Sequence, residues 1–245
     1  HNSGISSFDG TNWKSKIGGL DKLVQSLYIN SKDQIYIGSK KDFGVLKATK
    51  NGGLVFKSFR LLLDKEVDFS TIWKIEEFNE KIVFFSNEHV FIYDGEKVKI
   101  LSSPKKFRKI FKIGNDLVVK IDPQEFYLLN EDLSLKSFKW SSTKALPKIR
   151  NILAITNDKL LFITDTALYQ GSMKSKKITK LNISKEFYEY TGKGEVLSNG
   201  KICIGLIGKG SFYLDSTYKI IETFNVESGI ISNKHLSYHL TKDEN

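Results

Sequence analysis

The stretch QIYIGSK, Gln34 to Lys40, decides the fold: a short apolar run ends in small and polar residues, as a buried strand does where it enters a turn. The same pattern returns as KIVFFSN at Lys81, DLVVKID at Asp116, KLLFITD at Lys159 and KICIGLI at Lys201. The repeats start 35 to 47 residues apart, the period of a four-stranded propeller blade. The reading is therefore all-β: a β-propeller of four-stranded antiparallel blades, about five of them complete, with a partial blade contributed by the two termini.

Working outward, the first blade takes Val24–Ile29 as its inner strand, then Gln34–Ser39, Gly44–Ala48 and Leu54–Phe59. The second uses Ile72–Phe78, Lys81–Ser86, His89–Tyr93 and Lys97–Leu101, with turns at Asn79-Glu80 and Asp94–Glu96. Phe107–Trp140, Ile152–Asn182 and Glu195–Val226 supply the third, fourth and fifth. At the start, SGISSFDGTNWKSK reads as only the third and fourth strands of a blade, turning at Asp9 and Gly10. At the end, HLSYHLTKDEN reads as only an inner strand. An unpaired sheet edge is an aggregation hazard, so the two pieces are expected either to join as an incomplete blade or to belong to a longer protein. The second is preferred, and residues 1–245 are expected to be a single propeller within it.

Composition agrees. The 245 residues are 40% hydrophobic and 12% aromatic, enough for a sizeable core. No apolar run approaches the ~18–20 residues that span a bilayer. Cys203 is the one cysteine, so no internal disulfide forms, and its place in KICIG suits a small core side chain. The formal charge is +10, yet only Arg60, Arg108 and Arg150 are arginines, the residue on which base-edge recognition leans. Lysines such as Lys97, Lys99, Lys174, Lys176 and Lys177 fall in outer hairpins, where they keep strand edges solvated. Direct nucleic-acid binding is not expected; an acidic polysaccharide is the sharper alternative that the charge allows.

Chemical motifs dissolve on inspection. His235 and His239 would lie roughly 13 Å apart on a strand, too far to share a metal. Asp64, Glu66 and Asp68 imitate a calcium loop, but Phe69 stands where the turn needs Gly and Ile75 where it needs Glu. GKGS at Gly208–Ser211 lacks the helix that would hold a phosphate. No catalytic residue, metal site or cofactor is expected. The binding candidates are the polar and aromatic residues of the loops between second and third strands and between outer and next inner strands, two sets that share the propeller face around the channel: Lys40, Asp42, Trp73, Glu88, His89, Asp122, Asp165, Tyr188, Tyr190 and Lys209, with Phe69 nearby. Trp73, in STIWKI, is expected to pack between blades rather than to serve a sugar.

The stretches SGISSFDGTNWK, QIYIGSKKDFGVLK, STIWKI, SNEHVFIYDGEKVKIL, KGSFYLD and SGIISNKHLSYHLTKDEN together resemble the two-component-regulator propeller repeats. That family forms the periplasmic sensor regions of Bacteroidetes hybrid histidine kinases and of related membrane-linked transcriptional regulators. The usual GT-x-x-GG turn appears here only as GSKKDFG and GLIGKGS, so its loop is not carried over as a binding motif. The resemblance implies a periplasmic or otherwise extracytoplasmic, non-catalytic sensing propeller of a membrane-anchored protein. Its ligand would be a small molecule or oligosaccharide, its neighbours further sensor domains of the same chain, and the intact receptor a possible homodimer. A secreted propeller enzyme acting on polysaccharide, or a protein-interaction scaffold, are the alternatives.

Overall fold

The computed structural model describes residues 4–64, 66–142, 146–182, 191–206, 210–225 and 227–228. Among them the chain is all-β, a β-propeller of five four-stranded antiparallel blades preceded by a two-stranded hairpin. The hairpin pairs β1 (Ser7–Phe8) with β2 (Trp13–Lys14), and Asp9 accepts from the backbone N–H groups of Thr11 and Asn12 to close its turn. This is the N-terminal part of the expected partial blade; its expected C-terminal strand lies outside the described residues.

The first blade is β3 (Val24–Ile29), β4 (Ile35–Ser39), β5 (Asp42–Ala48) and β6 (Leu54–Ser58), followed by a single 3-10 turn at Phe59–Leu62. The second is β7 (Lys74–Phe78), β8 (Lys81–Phe85), β9 (His89–Tyr93) and β10 (Val98–Ser102). The third is β11 (Phe107–Ile113), β12 (Asp116–Ile121), β13 (Glu125–Leu129) and β14 (Leu135–Phe138). Then β15 (Ser141–Ser142) pairs in parallel with the outer strand of the fourth blade, β16 (Ile149–Ala154), β17 (Lys159–Thr164), β18 (Leu168–Ser172) and β19 (Lys177–Lys180). The fifth is β20 (Thr191–Val196), β21 (Ile202–Leu206), β22 (Gly210–Leu214) and β23 (Ile220–Phe224). Sequence reading ran the third blade to Trp140, but its outer strand stops at Phe138 and the next residues cross to the following sheet. A two-residue parallel strand carries no period of its own, so no pattern announced it.

The chain forms two compact units, residues 1–110 with 116–137, and residues 111–115 with 138–245. In the first unit the apolar strands are continuous rather than alternating because both faces of a blade are buried. Along β8, Ile82 and Phe84 enter one cluster with Tyr36, Phe43 and Val45 of the first blade, whereas Val83 and Phe85 enter another with Phe107, Leu117 and Val119 of the third. Phe43 is the hub of the first cluster, with ring centroids 4.6 Å from Phe91, 4.9 Å from Phe84 and 5.8 Å from Phe69. Such offset and edge contacts add roughly 0.5–1.5 kcal/mol each beyond area burial. Gly38 lets the blades approach: a Cβ there would lie 2.4 Å from the Ile72 side chain and 2.3 Å from Ser26 Oγ. Ser26 in turn donates to the Ile72 carbonyl at 2.9 Å.

In the second unit, Leu161 and Ile163 of β17 pack with Leu153, Ile202, Ile204, Phe212 and Leu214 across the fourth and fifth blades. Phe162, on the other face, meets the edge of Trp140 at 4.9 Å and 82°. Cys203 is a buried thiol, raised in pKa by desolvation, as a core side chain should be. No helix among the described residues is long and apolar enough to cross a membrane.

Candidate functional site

The loop end of each blade begins where its second strand turns into its third. In three blades a buried hydroxyl closes that turn: Ser39 donates to the Asp42 carbonyl at 3.0 Å, Ser86 to His89 at 2.8 Å and Thr164 to Ala167 at 2.7 Å. The hairpin also ties back to the start of its own blade. Lys40, Asp122 and Asp165 donate their backbone N–H groups to the carbonyls of Leu23 (3.3 Å), Lys106 (3.1 Å) and Lys148 (3.2 Å).

Side chains repeat the tie. Arg108 pairs with Asp122 and Arg150 with Asp165, each arginine reaching from the inner strand to the hairpin of its own blade. Arg60 donates to the Lys41 carbonyl at 2.9 Å and lies 5.4 Å from the centre of the Phe69 ring. All three arginines of the chain therefore brace second-to-third-strand hairpins, a role that sequence reading missed. Bidentate-capable guanidinium and matching Asp at a spacing of 14 or 15 residues was the signal available for two of them.

Asp42 begins strand β5 instead of sitting in a loop, and its side chain is buried. It accepts from Ser58 Oγ at 2.6 Å and from the Phe43 N–H at 2.9 Å, and pairs with Lys22 at 2.9 Å. These bonds lock the first blade's outer strands together. Glu88 accepts from the Ser70 N–H at 3.2 Å and from its hydroxyl at 3.1 Å. His89 places Nδ1 3.0 Å from Ser102 Oγ and its ring edge against Phe91. Phe69 is a core residue, 1% exposed. Tyr188, Tyr190 and Lys209 lie outside the described residues, as do His235 and His239.

Around Ser70–Trp73 these hairpins converge. Lys40 bridges Thr71, the Lys41 N–H donates to the Ser70 carbonyl at 2.9 Å, and the Ile72 N–H to Ser39 at 3.2 Å. From the other side come Glu88 and the Phe85 carbonyl, which accepts from the Trp73 N–H at 2.8 Å. Trp73 itself corrects the expectation that it packs between blades: the residue is 48% exposed. Ile72, fully buried, takes the inward position against Gly38, and the next residue in extended chain must face the other way. The result is an exposed indole on a backbone held from both flanks, with exposed Lys40 in the β4–β5 turn that bridges Thr71.

No protein-family model matches the chain, and no curated protein does. Solved structures do. The chain is similar to virginiamycin B lyase from Staphylococcus aureus, with 11% identity and a TM-score of 0.62 over 83% of this chain and 70% of that one. It is similar to YCF48 bound to D1 peptide, with 11% identity and a TM-score of 0.63 over 92% and 76%. The extracellular domain of a putative one component system from B. thetaiotaomicron also matches, with 12% identity and a TM-score of 0.43. The chain spans about half of that protein's length, covering 47% of it. At these identities the likeness is one of fold, and the fold it shows is the propeller.

Proposed function

We propose that the chain is the ligand-sensing propeller of an extracytoplasmic bacterial receptor, binding a glycan fragment at the loop end of its blades without turning it over. The observation that carries the reading is Trp73, an exposed indole whose backbone is fixed by two neighbouring hairpins. A rigid aromatic face is what a sugar ring stacks on, and fixing it beforehand removes the ordering cost of binding. The resemblance to sensor propellers supplies the signalling context. Ligand affinity that differs between two arrangements of neighbouring domains would drive the signal.

The carboxylates favour binding over hydrolysis. A general acid must be free to deliver its proton to the bound ligand. Asp122 and Asp165 are each joined to an arginine. The test is a thermal-shift screen of neutral oligosaccharides against the wild type and Trp73→Ala. A stabilising glycan should be recovered intact, and the variant should fold normally yet lose the shift. Steady release of a cleaved product by the purified wild type, or an undiminished shift in the variant, would overturn the proposal.

A further inference from the structure

Two aromatic side chains of the β1–β2 hairpin stay outside the core. Phe8 and Trp13 are cross-strand partners, 53% and 72% exposed, and their rings stack on each other at 5.0 Å and 30°. The segment that carries them does reach the first blade, through Ile5 and Ile17, which pack against Leu20, Ile37 and Leu46. The rings are therefore presented outward from an element that is itself attached.

The hairpin is fixed before anything touches it. Asp9 Oδ1 accepts the N–H groups of Thr11 at 3.0 Å and Asn12 at 2.8 Å, and the Asp9 N–H donates to the Asn12 carbonyl at 3.3 Å. At the tip, Gly10 takes a φ of 96°, and a Cβ added there would meet nothing within 4 Å. The turn thus stands clear of the other described residues. A contact made by this hairpin has little ordering cost to overcome.

Charge narrows the partner. Between Ser6 and Lys16 the cations are Lys14 and Lys16, both exposed and neither ion-paired among the described residues, while the one acid, Asp9, is engaged in the turn. A neutral sugar would use the indole and leave the lysines idle; a soluble polyanion would use the lysines and give two exposed rings nothing to enter. The surface of an anionic bilayer uses both, since indole rings settle at headgroup level, apolar rings reach the acyl boundary and ammonium groups meet the phosphates. The formal charge of +10 draws the whole chain toward such a surface. We propose that the tip of the β1–β2 hairpin is a membrane-contact site, which places Phe8 and Trp13 in the interface of an anionic bilayer with Lys14 and Lys16 on its headgroups. A single acyl chain gives only reversible membrane binding, and two rings with two lysines are a device of that order, one that orients a chain on a bilayer rather than anchors it. The contact goes beyond the loop-end reading and uses none of its residues.

The test mixes the full chain with vesicles of phosphatidylcholine alone and of phosphatidylcholine and phosphatidylglycerol in equal parts, the latter also with acyl chains brominated so that they quench only an inserted indole. The wild type should partition onto the mixed vesicles and hardly onto phosphatidylcholine, and the brominated lipid should quench part of its tryptophan emission. Trp13→Ala should weaken partitioning about tenfold, the scale of burying one aromatic side chain, and Lys14→Gln and Lys16→Gln about fivefold each. Trp13→Phe should still partition yet lose the quenching, which separates Trp13 from Trp73 and Trp140. Without lipid, the emission that Trp13→Phe removes should have the long wavelength of a water-exposed indole. No partitioning onto the mixed vesicles, quenching that survives Trp13→Phe, or a Trp13 emission already shifted to short wavelength without lipid would each overturn the proposal, the last because the chain itself would then cover the ring. Vesicle binding without quenching, abolished by soluble polygalacturonate, would overturn it in favour of an acidic polysaccharide. Since wild-type partitioning and quenching are read without any variant, a misfolded Trp13→Ala protein would not leave the question open.

Discussion

Phe43 and Trp73 are aromatic residues of neighbouring blades that should respond to truncation in opposite ways. Phe43 is fully buried among four other aromatic rings, so Phe43→Ala should cost about 3–5 kcal/mol in denaturant unfolding. Trp73→Ala, at a position 48% exposed, should stay within about 1 kcal/mol of wild type; a larger loss would return Trp73 to the core. Tyr218 gives a pH-dependent case. Its side chain is 5% exposed, its hydroxyl has no hydrogen-bond partner among the described residues, and desolvation pushes its pKa from 10.0 up to about 12. Because the folded pKa is the higher one, its stabilising contribution is complete below pH 10 and is lost as pH rises from 10 toward 12, by about 2–3 kcal/mol. Tyr218→Phe should remove that part of the alkaline decline and cost little at pH 7, since no bond is broken. Unfolding free energies at pH 7 and pH 11 check both halves; an alkaline slope unchanged in the variant would refute the assignment. Trp73 also marks where reading residues from sequence fails. The repeat identifies STIWKI as the entry to a blade, but which of two adjacent apolar residues turns inward depends on Gly38, a residue of another blade.

Strands were legible because their buried sides are written into each segment: Ile82–Phe85 and Leu160–Ile163 are apolar without a break, and both their faces are covered in the structure. The turn of the second blade's first hairpin, Asn79 and Glu80, was equally plain, and both residues adopt the positive φ of a tight hairpin. The hydroxyls that end the second strands of three blades were printed in the same repeats, as Ser39, Ser86 and Thr164, but their role shows only when the strand is seen to stop there. Ser86 accepts from the His89 N–H at 2.9 Å and the Glu88 N–H at 3.3 Å while donating to the His89 carbonyl. Ser86→Ala should therefore speed hydrogen exchange at the His89 amide and cost about 1–3 kcal/mol, the penalty for stranding partly buried polar groups. Protection at His89 equal to wild type would show that the turn holds without the hydroxyl. The loop-end arginines were harder to read, since their partners, 14 to 19 residues away, lie across a blade rather than along a strand.

For the whole molecule, the number of blades follows from a period, whereas the ligand depends on side chains that only the assembled blades bring together. The formal charge of +10 bears on that ligand. If the protein served a polyanion, stabilisation by the ligand would fall steeply with salt, because binding would be driven by release of counterions and by exposed charge pairs that are screened beyond a Debye length of ~10 Å at 0.1 M. A neutral glycan stacked on Trp73 displaces few ions, so its effect should persist. At about 100 times its dissociation constant such a ligand stabilises the folded chain by roughly 2.7 kcal/mol. For a protein of this size the melting temperature should then rise by roughly 5–11 °C. Repeating the measurement at low and high salt decides between the two ligand classes. A rise that is retained in salt, with the ligand recovered unchanged, is the expected outcome; a rise that collapses in salt would move the ligand to an acidic polysaccharide and the contacts from the indole to the lysines.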